Sequence, residues 1–138
     1  MVKKIALLSF LFIALMATGC SSEKEEKKEN NKKAPETTIN TEKDVIKDQE
    51  VDGLTMSNTV LSTTDGVTTL TVQVKNDSGE DYHLSKINVV VKDATGNTLF
   101  TVPCYIGNVI ANGATKMINT TLDVDLNDAV SIEYNIVK

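Results

Sequence analysis

The ten residues Val67–Asn76, VTTLTVQVKN, decide the fold. Leu70, Val72 and Val74 recur at every second position, with Thr69, Thr71, Gln73 and Lys75 between them. A period of two sends one set of side chains to each face of an extended chain, which describes a half-buried strand. The same alternation returns downstream. Ile87, Val89 and Val91 alternate with Asn88, Val90 and Lys92, and Val130, Ile132, Tyr134 and Ile136 alternate with Ser131, Glu133 and Asn135. Asp65-Gly66, Asn76-Asp77-Ser78-Gly79, Gly96-Asn97 and Asn112-Gly113 punctuate these runs. Gly and Asn accept the positive φ that tight hairpins require.

Short strands at regular spacing, with no sustained helical period after residue 50, predict an all-β, antiparallel β-sandwich of about 6–7 strands. Strands are expected over 53–63, 67–76, 83–92, 97–106, 114–124 and 129–137, with a short one near 107–111. The core would come from Val, Ile and Leu, with Phe100 and Tyr134 as its largest pieces. Pro103 has no amide hydrogen, so its strand is expected at an edge or a bulge.

The N-terminal part reads differently. Lys3 and Lys4 precede thirteen apolar or small residues, Ile5 to Ala17, followed by Thr18, Gly19 and Cys20. A positive start, a short apolar run and a small-residue ending describe a secretory signal. The run falls short of the roughly 20 residues a spanning helix needs. From Ser21 to Glu50 come seven Lys and nine Asp or Glu with no aromatic residue, a composition that predicts a disordered tether. Its root-mean-square reach is roughly 30 Å. The expected organisation is therefore a signal helix over 1–19, a tether over 20–50 and a sandwich over 51–138.

The ending Ala17-Thr18-Gly19-Cys20 resembles the lipobox of bacterial lipoproteins. That resemblance implies lipidation of Cys20, cleavage just before it, and export to the outer face of the cell membrane, in a Gram-positive type of envelope. Two or more acyl chains make such anchoring stable where one is marginal. A second resemblance covers Leu70 to about Leu122. Val74-Lys75-Asn76, Asp93-Ala94-Thr95-Gly96-Asn97 and Asn112-Gly113 are similar in placement to turns of the immunoglobulin-like domains of small bacterial lipoproteins, including the FxLyD group. The F-x-L-y-D signature itself is not present in INVVVKD. The resemblance implies an immunoglobulin-like sandwich with a binding or scaffolding role.

Candidate chemistry is sparse. Asp123, Asp125 and Asn127 have the D-x-D-x-N spacing of a calcium loop, but Asp128 and Tyr134 stand where its Gly and bidentate Glu belong. They are expected to be solubilising turn residues. A second acidic turn, Asp77, Glu80 and Asp81, could join them at a cation only if the fold brought the two together. His83 is the only histidine and is expected to be structural. Cys104 shares parity with Phe100 and Val102 and is expected to be buried and inert. With Cys20 committed to lipid, no disulfide is expected. No catalytic constellation, cofactor or metal site is expected, and the chain is not expected to be an enzyme. The net charge of −5, with Lys as its only strong base, argues against nucleic acid as a partner. Three functions remain: a surface lipoprotein whose module binds a protein or envelope component through an edge strand, a weak divalent-cation or small-ligand binder using the acidic turns, and a structural spacer in an envelope complex.

Overall fold

The computed structural model describes residues 33–138. The signal segment, Cys20 and the first part of the tether lie outside the described residues. The folded unit runs from Pro35 to Lys138. Its elements are β1 (Thr37–Ile39), α1 (Lys43–Ile46), β2 (Gln49–Val51), β3 (Leu54–Thr64), β4 (Val67–Asn76), β5 (Tyr82–His83), β6 (Lys86–Lys92), β7 (Thr98–Cys104), β8 (Val109–Ile110), β9 (Thr115–Leu122) and β10 (Ser131–Val137).

The long strands form two antiparallel sheets. One has the order β3-β4-β9, with β1 and β2 both paired to the free side of β3, and the other has the order β10-β6-β7. A small β5-β8 ribbon makes a third sheet. The chain changes sheets between β4 and β6, between β7 and β9, and between β9 and β10, which is the immunoglobulin-like Greek-key pattern. Leu54, Met56, Leu61, Leu70, Val72, Val74 and Ile118 from one sheet meet Ile87, Val89, Val91, Val102, Ile132 and Tyr134 from the other. The polar bodies in this core are satisfied. The Thr59 and Tyr134 hydroxyls bond each other across the sheets at 2.9 Å.

Local chemistry explains the turns and one irregularity. Asp65 and Gly66 both have positive φ, +50° and +78°, as a two-residue hairpin requires. Asn58, at φ +50°, sits in a bulge where Ser57 pairs with Gln73 and Val60 pairs with Thr71. The extra residue reverses parity along β3. Leu54 and Met56 point inward before it, and Thr59, Leu61 and Thr63 point inward after it. Without the bulge, one half of this strand would aim its core residues at solvent.

Two expectations need correction. The tether is expected to extend to residue 50, yet β1 and α1 lie before that point and β2 begins before it. Charge averaged over thirty residues hid a partitioned segment: Lys43, Asp44 and Lys47 face water, while Val45 is fully buried. Phe100 was expected in the core but is 37% exposed. It keeps the inward parity of Val102 and Cys104, being paired with the buried Val91, but it stands toward the outer end of an edge strand, next to the register shift at Leu99. Burial begins two residues later, at Val102, and Tyr134 does sit in the core. Pro103 lies on β7, an edge strand, as expected.

Candidate interaction surface

The two lateral sides of the sandwich differ. On the first side, β3 is covered by β1 along one part and β2 along another. Beside it, the free edge of β10 is capped by the same N-terminal segment. The Asn40 side-chain amide donates to the Ala129 carbonyl at 2.7 Å, and the Gln49 amide donates to the Ile132 carbonyl at 2.8 Å. A parallel bridge joins Asp44 to Ser131. We term this the closed side.

On the opposite side lie β7 and β9, each the last strand of its sheet, and among the described residues no strand pairs with their outer edges. Between them runs a groove of about 260 Å³ lined by Pro103–Ile106 and Met117–Thr120. Tyr105 is 70% exposed and Met117 54% exposed along it, and Leu99, Phe100 and Val109 are exposed nearby. The run Ala94–Leu122 supplies all of these residues and contains a single charged side chain, Lys116, in a chain that is 24% charged. Apolar exposure together with loss of charge is the compositional mark of an interface centre. This is the open side. The signal is present in the sequence as a charge-poor run, but strand periodicity does not register it.

A buried asparagine builds one end of this side. Asn76 closes β4 and is fully buried. Its amide nitrogen donates to the carbonyls of Glu80 and Ile110 at 2.7 and 2.9 Å, and its side-chain oxygen accepts from the Ser78 amide and hydroxyl. Its backbone bonds the Ala114 carbonyl and the Gly113 amide. The asparagine of the Val-x-Asn motif thus ties the turn after β4 to the β8–β9 loop and fixes where β9 starts. Thr68 does the corresponding work at the other end of β4. Its hydroxyl donates to the Val124 carbonyl at 2.7 Å and accepts from the Leu126 amide at 3.1 Å.

The acidic turns are not brought together. Leu122, just before Asp123, pairs with Thr68, whereas Asp77 follows Asn76, so the two turns lie at opposite ends of β4. At about 3.3 Å per residue the separation is roughly 25 Å. Three of their carboxylates have protein partners. Asp77 pairs with Lys75 at 2.7 Å, Asp81 accepts from the Asn112 amide, and Asp125 accepts from the Asn127 amide. The Lys75 ammonium, then the Thr55 hydroxyl, hold Asp77 below the ordinary carboxylate range. Among the described residues no three His, Cys, Asp or Glu side chains converge as metal ligands do. Asp128 lines a separate cleft with Glu42 and Asp93.

His83 is exposed on β5. Beside it, Asp52 accepts from the Tyr82 hydroxyl and pairs with Lys138 at 2.8 Å. Lys138, then Tyr82, lower the Asp52 pKa, while burial first and Asp52 second raise that of Tyr82. Cys104 is buried on the inner face of β7, and burial pushes its thiol up to about 11. Little thiolate exists there at neutral pH, and the thiolate is the reactive form. Comparison with protein-family models, curated proteins and solved structures finds no match for the chain.

Proposed function

We propose that this chain is a lipid-anchored surface protein, attached through Cys20, whose immunoglobulin-like sandwich is an interaction module that docks a protein of the cell envelope on its open side. The observation that carries the reading is the pairing of two free strand edges with a run, Ala94–Leu122, that exposes five large apolar residues and one charge. An edge strand offers main-chain hydrogen bonds to an incoming strand, and neighbouring side chains supply selectivity. Chemistry other than binding has little support in this fold, since the buried thiol is protonated and the single imidazole stands exposed on a two-residue strand. The anchor rests on the resemblance of Ala17–Cys20 to a lipobox.

Two measurements test the reading. Cys20→Ser should release the protein from membranes or leave it unprocessed, and a variant that fractionates normally would contradict the anchor. Paired Leu99→Glu and Met117→Glu should remove the crosslinks that the native chain forms with envelope proteins, as read by mass spectrometry. Crosslinks unchanged by both substitutions would contradict the open side as the docking surface.

A further inference from the structure

Of the four long edges among the described residues, three carry a protective device. β3 is covered by β1 and β2, β10 is capped by Asn40 and Gln49, and β7 has Pro103 and a bulge. Such devices are how folded proteins blunt edges that would otherwise pair with other chains. β9 has none of them. Its eight residues keep an unbroken register with β4 and include no Pro and no Gly.

Charge along β9 is polarised. Lys116 stands near its start, opposite Val74 of β4, whereas Asp123, Asp125 and Asp128 follow its end. An antiparallel neighbour with the same polarity would set each basic end against an acidic one, and a second copy of this chain supplies that pattern by symmetry. We propose that β9 pairs antiparallel with β9 of a second copy about a two-fold axis at Asn119, joining the two larger sheets into one. This deepens the open-side reading and rests on it.

The register follows from the faces. With Asn119 opposite Asn119, Ile118 falls opposite Thr120 and Met117 opposite Thr121, so inward residues meet inward ones and outward meet outward. Lys116 then lies opposite Leu122, next to the acidic turn of the other copy. The two Lys116 side chains oppose each other only if the overlap shrinks to the first three residues of β9. The contact is isologous and closes at two copies.

Directly opposed residues in an antiparallel pair have Cα atoms about 4.5–5.5 Å apart, within the roughly 4.4–6.8 Å that a disulfide spans. The test uses the full chain in its native cells, with Cys104→Ser as the background. Asn119→Cys, on the exposed outer face, should yield a disulfide-linked dimer several-fold above Asn135→Cys on β10 and above the parent chain. Lys116→Glu should reduce that yield several-fold, and adding Asp123→Lys should restore it. Asn119→Cys giving no more dimer than Asn135→Cys, or a yield indifferent to the charge changes, would overturn the pairing. Crosslinks from Leu99 to another protein without a β9 dimer would remove the second copy and leave the open-side reading standing. The absence of both would remove both.

Discussion

The closed and open sides are built from the same kind of strand and end differently. On the closed side, the segment Thr37–Val51 adds two short strands to β3 and caps β10 with two amide side chains. On the open side, β7 and β9 end without a strand neighbour among the described residues and expose Leu99, Phe100, Tyr105 and Met117. One side draws edge partners from its own chain; among the described residues the other has none. Apolar exposure alone does not separate them, because Ile39, Ile46 and Val60 are exposed on the closed side. The difference lies in the backbone edges and in the charge-poor run.

Breaking the comparison at its root gives the largest effect. Asn76→Leu would strip the Ile110 carbonyl of its side-chain donor and the Ser78 amide of its acceptor, leave the Glu80 carbonyl to the Ser78 hydroxyl, and free the start of β9. Each buried group left unpaired costs about 1–3 kcal/mol, so chemical denaturation should show a loss of about 3 kcal/mol or more. Val45→Ala empties a fully buried site under the N-terminal segment and should cost about 2 kcal/mol in the same experiment. Asn40→Ala combined with Gln49→Ala should cost roughly 1–2 kcal/mol and speed aggregation, as an uncapped β10 becomes a second free edge. Met117→Lys on the open side should change stability by less than about 0.5 kcal/mol while weakening association.

Acid gives the smallest effect. Asp52 and Asp93 are held below the ordinary value of 3.8, Asp52 chiefly by Lys138 and Asp93 chiefly by the Thr95 hydroxyl. Groups with lowered folded pKa stabilise the fold above their unfolded value and lose that contribution as pH falls through the folded one. Melting temperature should therefore hold from neutral pH down to about 5 and decline below about 4. Because these carboxylates are exposed, the decline should be shallow and reduced by salt.

Much of the fold was legible in the residues, for a physical reason. β4, β6 and β10 are half-buried along their whole length, so burial printed a clean period of two. The inward parity of Cys104 follows from the same logic, and the edge position of Pro103 from its missing amide hydrogen. Where the backbone breaks its own period, the signal failed. The bulge at Asn58 reverses parity in β3. Phe100 keeps the inward parity of Val102 and Cys104, yet it lies toward the outer end of an edge strand, where parity does not bring burial. The N-terminal segment was hidden because a single buried residue, Val45, fixes it among charges that all face water. Asn76 was visible as a turn motif, but its burial depends on Glu80 and Ile110, which only the fold brings to it. The open side left a compositional trace, and nothing in periodicity shows that β9 is an edge.

Photo-crosslinking in native cells from two exposed apolar positions, Met117 on the open side and Val60 on the closed side, tests the central contrast most directly. The account predicts protein adducts from Met117, including the second copy, and none above background from Val60. Equal adducts from both positions, or adducts from Val60 alone, would contradict it.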